Sequence, residues 1–227
     1  MLTQALLIYH TLKVSVSTVA ESIVGGVQRE VIDRRLRGWG EACVRHAGLE
    51  LSIENADQVD WSRAYVIMSN HQSYLDIPVV TVAIRGSVRF IAKQELFKVP
   101  IWGKAMSAAG VISIDRGNRD RAIASLRIAA ETLRSGLNIW IAPEGTRSRT
   151  GELGKLKKGG FLLAMETGAE ILPIAVSGTI DAWPRDSLHI ARGKQVRVTF
   201  GAPISVEKRT RDELMRAVEG FLRAHLP

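Results

Sequence analysis

The sequence predicts an α/β fold in which a mixed, largely parallel sheet is covered by helices and preceded by two N-terminal helices. Two observations support this prediction. From residue 49 onward, short apolar segments of strand length alternate with segments whose apolar residues recur at helical spacing. The first 47 residues instead show only helical spacing. We therefore expect a membrane-associating two-helix motif over residues 1–47 and an α/β domain over residues 48–227.

The N-terminal helices are expected over residues 1–27 and 28–46. The first is mostly apolar, but Lys13 and Glu21 interrupt it, so there is no run of 18 uncharged apolar residues and a membrane-spanning helix is not expected. The second combines five arginines with apolar residues and Trp39. This composition favours helices that lie in a membrane interface. The alternative is a helical hairpin that packs on the core of its own domain.

The strands of the α/β domain are predicted from two apolar patterns. Leu49, Leu51 and Ile53 alternate with polar residues, as in a half-buried strand. The continuous apolar run that ends at residue 69 is typical of a fully buried strand. Further strands are expected over residues 88–92, 110–114, 137–142, 171–176 and 197–200.

Helices are predicted where the apolar residues recur at helical spacing, near residues 75–84, 118–134, 159–167 and 211–223. Asn118 is a suitable N-cap for the second of these helices. The sequence from Thr210 to Glu213 is a capping box that opens the last one. Pro100 and Gly103 are expected to break the segment over residues 97–109.

The net charge of +8 is concentrated in the middle of the chain. Between Arg85 and Lys158, 15 Lys or Arg residues face 6 Asp or Glu residues, whereas the rest of the chain is close to neutral. This excess predicts an anionic partner, such as a phosphorylated small molecule or an anionic membrane surface. Nucleic acid is not expected, because the chain has neither an RNA-binding aromatic signature nor zinc-finger spacing. The single cysteine, Cys43, excludes an internal disulfide and a cysteine-rich metal site.

A histidine and an aspartate lie where the buried strand ending at Ser69 gives way to the next helix. His71 and Asp76 are five residues apart and would not share a face of an ideal helix, so they can meet only if the backbone turns between them. An aspartate that binds one imidazole nitrogen leaves the other free to act as a base. The alternative is an ordinary helix start in which Ser69, Asn70 or Ser73 caps the helix.

Three further predicted strands end in polar or basic residues. These are Lys93, the pair Asp115-Arg116, and the segment from Pro143 to Ser148. If the strands are parallel, all three open at the same sheet edge as His71 and their cations can converge on one anion. Gly145 permits a tight turn, and Thr146 offers a hydroxyl and an N–H to the same ligand. Each feature alone also fits a surface ion pair or an ordinary turn.

Four ordered blocks carry a family resemblance: Asn70-His71-x4-Asp76, Gly110-x3-Ile114-Asp115-Arg116, Pro143-Glu144-Gly145-Thr146-Arg147-Ser148 and Leu172-Pro173-Ile174-Ala175. Together they resemble the glycerolipid acyltransferase family, which includes the 1-acylglycerol-3-phosphate acyltransferases. The stretches Lys155–Gly160 and Lys93-x2-Leu96-x3-Pro100-x2-Gly103 match the family as well. One position departs from the pattern, since Ala142 stands where an aromatic residue usually precedes Pro-Glu-Gly-Thr. This departure bears on pocket shape and acceptor choice.

The resemblance implies a role for each motif residue. His71 is the implied general base for a glycerol hydroxyl, and Asp76 fixes its tautomer, so that the hydroxyl attacks an acyl thioester directly without a covalent acyl-enzyme. The residues implied to bind the glycerol phosphate are Arg116, Glu144, Gly145, Thr146 and Arg147, with Lys93 as a further contact. Because a carboxylate does not attract phosphate, we expect Glu144 to bind a hydroxyl or to orient Arg147 or Arg116. No metal or other cofactor is implied.

The implied reaction transfers an acyl chain to the sn-2 hydroxyl of 1-acylglycerol-3-phosphate and gives phosphatidic acid. The implied partners are a lysophospholipid acceptor, an acyl-CoA or acyl carrier protein donor, and an anionic membrane surface, without nucleic acid. We expect a monotopic or peripheral protein of the inner (cytoplasmic) membrane whose active site faces the cytoplasm. The alternatives are an acyltransferase for another lysolipid, such as a lyso-ornithine lipid or lysophosphatidylglycerol, and a non-catalytic membrane lipid-binding protein.

Overall fold

A seven-stranded sheet forms the centre of the computed structural model, which describes residues 2–226. Its strands are β1 (Glu50–Glu54), β2 (Val66–Ser69), β3 (Val88–Lys93), β4 (Ile112–Ile114), β5 (Asn138–Ile141), β6 (Ile171–Ser177) and β7 (Gln195–Phe200). They are arranged in the order β1-β7-β6-β2-β5-β3-β4. Neighbours are parallel except for the antiparallel pair β6 and β7. The prediction of a mixed, largely parallel sheet is confirmed.

Eight α-helices within residues 2–226 accompany the sheet. They are α1 (Leu2–Val24), α2 (Arg29–Ala47), α3 (Asp76–Ala83), α4 (Trp102–Ala108), α5 (Arg119–Arg134), α6 (Gly159–Thr167), α7 (Thr179–Ala182) and α8 (Arg211–His225). Short 3₁₀ helices cover Ala56–Gln58 and Gln94–Lys98. Asn118 caps α5 by accepting from an amide N–H, and Thr210 and Glu213 form the predicted capping box of α8. The sequence did not predict the short helices α4 and α7, and Gly103, predicted to break the segment over residues 97–109, lies within α4.

The two faces of the sheet are covered by different helices, as predicted. On β2, Ile67 packs in a core that includes residues of α3, such as Val79. Its neighbours Val66 and Met68 point to the opposite face and pack in a second core with residues of α5, α6 and α8. Because β2 is buried on both sides, it has the continuous apolar sequence that parallel strands require.

Helix α1 lies against α2 and α4, and its inward side is mainly polar, although Leu7 on that side is buried in a small core with Cys43 and Ala47 of α2. Thr11 Oγ1 accepts a 3.0 Å hydrogen bond from the indole N–H of Trp39, and Thr18 Oγ1 accepts one of 3.3 Å from Arg35. Ser15 is buried beside them. The large side chains on the other side of the helix are exposed and apolar, namely Leu2, Ile8, Tyr9, Leu12, Val16 and Ile23. We call these six residues the α1 outer stripe. Within residues 2–226, every helix is too short or too polar to cross a membrane.

Candidate active site

The carboxyl ends of five parallel strands bring the predicted site residues to one edge of the sheet. The loop after β2 carries His71, β3 ends at Lys93, and Arg116 follows β4. The segment from Pro143 to Ser148 follows β5, and Thr179 follows β6. The prediction that these strand ends share one sheet edge is therefore confirmed, since the strands that carry them are parallel.

His71 and Asp76 form a hydrogen-bonded pair in the loop between β2 and α3. His71 Nδ1 lies 2.7 Å from Asp76 Oδ2. Asp76 is the first residue of α3 and is fully buried, whereas about a fifth of the His71 side chain, 19%, is exposed. The backbone turn required by their spacing is present. The contact uses Nδ1 and leaves the second ring nitrogen, Nε2, available for a substrate.

The carboxylate of Asp76 is held by three donors besides His71. Oδ2 accepts hydrogen bonds of 2.7 and 2.8 Å from the amide N–H groups of Gln72 and Ser73. Oδ1 accepts one of 2.5 Å from the hydroxyl of Thr179. Four hydrogen-bond contacts to one buried carboxylate fix its orientation. Thr179 is fully buried, so this contact is also shielded from water.

Ser69 and Asn70 do not cap α3, whereas Ser73 Oγ accepts a 3.1 Å hydrogen bond from the N–H of Leu75 at the helix start, so this contact and the His71–Asp76 pair are both present. The N-cap position of α3 is Leu75, which provides no side-chain cap. Asn70 instead extends the sheet, because its amide group donates to the carbonyl of Val176 and accepts from the N–H of the same residue at 2.7 and 2.8 Å. The edge of the Trp140 ring also packs on the His71 ring, with 5.9 Å between centroids. These contacts anchor the loop to both neighbouring strands.

Glu144 links the His71 loop to the segment that follows β5. Its Oε1 accepts a 2.7 Å hydrogen bond from the N–H of His71, and its Oε2 accepts one of 2.8 Å from the N–H of Gly154. Burial raises the pKa of the Glu144 carboxyl, while these two hydrogen bonds and the nearby His71 ring oppose that rise. Among residues 2–226, neither Arg116 nor Arg147 forms an ion pair with this carboxylate. Both its oxygens bind backbone N–H groups instead.

Gly145 makes a turn with φ +74°. Arg147 follows this turn in the sequence, and two other cationic side chains approach it. A Cβ atom at Gly145 would lie 3.8 Å from Arg116 Nη1 and 3.6 Å from Lys157 Cγ, which places both cationic side chains next to this turn. The Arg116 side chain is exposed at this edge. The Nη1 atom of Arg147 is buried and has no hydrogen-bond partner among the described residues. These donors can meet an anion at this edge.

Lys93 and Thr146 have protein partners of their own. Lys93 Nζ lies 3.1 Å from Glu95 Oε1, and about half of each side chain is exposed. The hydroxyl of Thr146 accepts a 3.3 Å hydrogen bond from Arg185. Sequence reasoning missed Arg185 and Thr179 at this edge, and it gave Lys157 no site role beyond its place in the Lys155–Gly160 stretch. The position of Thr179, directly after Gly178 at the end of β6, follows the same strand-end rule that identified the other residues.

The two side chains that could form a covalent intermediate are unsuited to it. Ser73 is fully buried and its hydroxyl donates a 2.7 Å hydrogen bond to the carbonyl of Trp183. Cys43 lies in α2 with 2% of its surface exposed, and burial raises the pKa of its thiol to about 12. The arrangement is therefore suited to removing a proton from a ligand hydroxyl while cations hold an anionic part of the same ligand.

Comparisons with known proteins agree with this chemistry. Residues 50–177 match the family model described as Acyltransferase. The chloroplastic 1-acyl-sn-glycerol-3-phosphate acyltransferase LPAT1 of Arabidopsis thaliana is 38% identical over 156 residues, which are 69% of this chain and 43% of that protein. The human 1-acyl-sn-glycerol-3-phosphate acyltransferase alpha is 34% identical over 169 residues, or 74% of this chain and 59% of that protein. The matched region is thus about half of each of these relatives.

A solved structure shares the whole fold. The crystal structure of the 1-acyl-sn-glycerophosphate (LPA) acyltransferase PlsC from Thermotoga maritima superposes with a TM-score of 0.81 and 24% identity. The match covers 98% of this chain and 93% of that one, so it includes the two N-terminal helices as well as the sheet. At this identity the likeness concerns the fold. The family model covers more than half of the chain, and we conclude that the chain belongs to the acyltransferase family.

Proposed function

We propose that this protein transfers an acyl chain from an acyl thioester to the sn-2 hydroxyl of 1-acylglycerol-3-phosphate and forms phosphatidic acid. The observation that carries the proposal is the His71–Asp76 pair at a sheet edge that also holds Arg116 and Arg147. A base and a phosphate-binding group are the two features that this acceptor requires. The names of the relatives in Arabidopsis and human support the choice of acceptor.

In the proposed reaction, His71 acts as the general base. Its Nδ1–H donates to Asp76, so Nε2 carries the lone pair that accepts the proton of the acceptor hydroxyl. The hydroxyl oxygen attacks the thioester carbonyl as this proton leaves, and a tetrahedral intermediate forms. Its collapse breaks the C–S bond, and the imidazolium returns the proton to the departing thiolate. A base in this position contributes roughly 10²–10⁴ to the rate.

Asp76 and Glu144 have different proposed roles. The Asp76 carboxylate, with its four donors, stabilises the imidazolium as it forms. Glu144 is a positioning residue that fixes the backbone of His71 relative to the segment after β5, through its bond to the His71 N–H. This role replaces the expected contacts of Glu144 with a substrate hydroxyl or an arginine. It accounts for both of its hydrogen bonds.

The acceptor phosphate is proposed to bind Arg116 and Arg147 beside the Gly145 turn. A guanidinium presents two parallel N–H donors to phosphate oxygens, and the buried Arg147 Nη1 lacks a partner among the described residues. Thr146 supplies a further polar group at the same turn. Lys93 is proposed to leave its ion pair with Glu95 and bind the phosphate, because that ion pair is exposed to water.

The α1 outer stripe is proposed to enter one leaflet of the cytoplasmic membrane, with the active site facing the cytoplasm. The exposed stripe holds six large apolar side chains, whereas the inward side buries Ser15 and Thr18 together with Leu7, so most of the large apolar surface of α1 faces away from the core. Such a helix gains free energy by burying its outer face among lipid chains. The basic middle of the chain would then face anionic headgroups.

An acceptor and donor panel tests the proposed function. Purified protein is supplied with 1-acylglycerol-3-phosphate, lysophosphatidylglycerol, a lyso-ornithine lipid or 1-monoacylglycerol, each with acyl-CoA or acyl carrier protein as donor. We expect the highest kcat/KM with 1-acylglycerol-3-phosphate, and acceptor KM values raised about 10- to 100-fold in Arg116→Gln and Arg147→Gln. Equal use of acceptors with and without phosphate would contradict the proposed acceptor.

The variant His71→Ala separates an enzyme from a lipid-binding protein. We expect it to lose acyl transfer while it binds vesicles as the wild type does, because His71 lies at the sheet edge and not in the α1 outer stripe. Exposed His189 provides the matched control, and His189→Ala should leave both properties unchanged. Transfer at the wild-type rate by His71→Ala would contradict the proposed mechanism.

A further inference from the structure

Tyr74 contacts the side chain of Arg147, and Arg185 contacts its backbone. Neither residue has an assigned role in the four sequence blocks. The guanidinium carbon of Arg147 lies 3.4 Å from the centroid of the Tyr74 ring, which is a close cation–π contact. The backbone carbonyl of Arg147 accepts a 2.8 Å hydrogen bond from Arg185 Nη1. The Trp183 ring packs on the Tyr74 ring, with 5.0 Å between their centroids. We call Tyr74, Trp183 and Arg185 the Arg147 bracket.

The Arg147 bracket contacts both the backbone and the side chain of Arg147. Arg185 also donates to the hydroxyl of Thr146 at 3.3 Å, so it fixes two consecutive residues of the turn. Tyr74 lies between His71 and Asp76 in sequence, so the loop that carries the base also carries the ring that the Arg147 guanidinium contacts. The Trp183 indole N–H donates 2.9 Å to the carbonyl of Ser187, which holds its ring in place. The guanidinium thus rests on an ordered aromatic surface.

The donors of Arg147 and Arg185 are used differently. Arg185 Nη1 has two oxygen partners in the turn, and Arg185 Nε lies 3.9 Å from Asp186. Nη1 of Arg147 is buried without a partner in the described part of the chain. A buried donor without an acceptor is costly unless a ligand supplies one. The contrast identifies Arg147 as the residue that faces the ligand and Arg185 as the residue that supports it.

We propose that the Arg147 bracket positions the guanidinium for the acceptor phosphate, so that Tyr74 and Arg185 determine the selectivity for phosphorylated lysolipids. This inference rests on the proposed function. A planar guanidinium binds phosphate in two-point geometry only when its plane is correctly directed. Stacking on Tyr74 restricts that plane before the substrate arrives, and less side-chain freedom is then lost on binding. Tyr74 and Arg185 act through Arg147 as positioning residues.

Kinetics of Tyr74 variants test the inference, with 1-acylglycerol-3-phosphate and 1-monoacylglycerol as acceptors. Tyr74→Ala removes the ring and should raise the KM for the phosphorylated acceptor about fivefold, with a much smaller effect on kcat and on the monoacylglycerol. Tyr74→Phe retains the ring and should restore most of the affinity. About half of the Tyr74 surface, 51%, is exposed, so neither change removes a core side chain. Equal losses with both acceptors would overturn the inference.

A double-mutant cycle tests whether Tyr74 acts through Arg147. In the Arg147→Gln background, Tyr74→Ala should produce no further rise in the acceptor KM, because the group that it positions is already absent. Arg185→Gln should behave like Tyr74→Ala, whereas Arg197→Gln, an exposed arginine on β7 paired with Glu54, should leave the KM unchanged. Independent, multiplicative effects of Tyr74 and Arg147 would overturn the inference.

The same data distinguish failure of the bracket from failure of the proposed function. A wild-type protein that shows no preference for the phosphorylated acceptor contradicts the function itself. A preference that Arg147→Gln abolishes, but that Tyr74→Ala and Arg185→Gln leave intact, contradicts only the bracket. Thermal unfolding of each variant is measured in parallel, so that a KM change in a folded protein is attributed to binding.

Discussion

Replacing Asp76 with Asn removes the negative charge beside His71 and changes little else in the local hydrogen bonding. The amide carbonyl can take the position of Oδ2 and accept from His71, Gln72 and Ser73. The amide NH₂ group then faces the Thr179 hydroxyl, which can rotate from donor to acceptor. We therefore expect Asp76→Asn to fold and to unfold within a few degrees of the wild-type temperature.

The loss of charge should lower kcat by about 10³. Opposite unit charges about 4 Å apart interact by about 4 kcal/mol at the effective dielectric constant found near protein surfaces. A change of 1.36 kcal/mol in the activation free energy alters the rate about tenfold. Asp76 is fully buried and His71 is mostly buried, so water screens this interaction only in part. The expected loss also falls within the range of about 10²–10⁴ for a positioned base.

The assay follows thiol release from acyl-CoA at saturating 1-acylglycerol-3-phosphate. His71→Ala should lose a comparable amount of activity, and the double variant of His71 and Asp76 should lose no more than His71→Ala alone, because the pair acts as a unit. Asp181→Asn, an exposed aspartate on α7, is the matched control and should retain full activity. A folded Asp76→Asn protein with kcat within threefold of the wild type would refute the proposed role of the charge.

Three further predictions concern vesicle binding by α1, the pKa of the buried Glu144 and the hydrogen bond from Thr179 to Asp76. Ile8→Asp with Leu12→Asp should release the protein from anionic vesicles in a sedimentation assay, whereas Ile128→Asp, equally exposed on α5, should not. Burial raises the pKa of Glu144 above its ordinary 4.5, so the folded protein binds this proton more tightly than the unfolded chain does. Relative to Glu144→Gln, the free energy of unfolding of the wild type in urea should therefore increase as the pH falls through the raised pKa toward 4.5. A decrease over the same pH range would contradict this prediction. Thr179→Val should lower the unfolding free energy by about 1.5–3 kcal/mol, and Thr179→Ser should restore it.

The strand-end residues could be predicted from the sequence because their position follows from chain geometry. An apolar run long enough for a buried strand, followed by His71, is sufficient to place that residue at a sheet edge. The partners of a side chain at that edge are harder to predict. Glu144 binds the backbone N–H groups of His71 and Gly154, and nothing in the residue types identifies a backbone partner. Lys93 pairs with nearby Glu95, a contact that depends on the 3₁₀ turn after β3.

The side of α1 that faces inward also could not be predicted from the sequence pattern. Its residues have helical spacing, but the usual rule turns the apolar side of a helix toward the protein core. Here Thr11 and Thr18 face inward because Trp39 and Arg35 on α2 donate hydrogen bonds to their hydroxyls. Those partners are on another helix, so the inward side is known only once the two helices are placed. The exposed apolar side then follows as a consequence.

The order of the strands explains how two distant motifs build one site. After β2 the chain passes through α3 to β3, and after β5 it passes through α6 to β6, in the opposite direction across the sheet. Strands β2 and β5 are neighbours, and although α3 and α6 pack on opposite faces, the loops that follow the two strands are joined, since the N–H of Ser148 donates a 2.7 Å hydrogen bond to the carbonyl of His71. His71 lies in the first of these loops and Arg147 in the second. Because this bond and the one from the His71 N–H to Glu144 join the two loops, the protein itself holds the segments that carry the base and the cation together before a substrate binds.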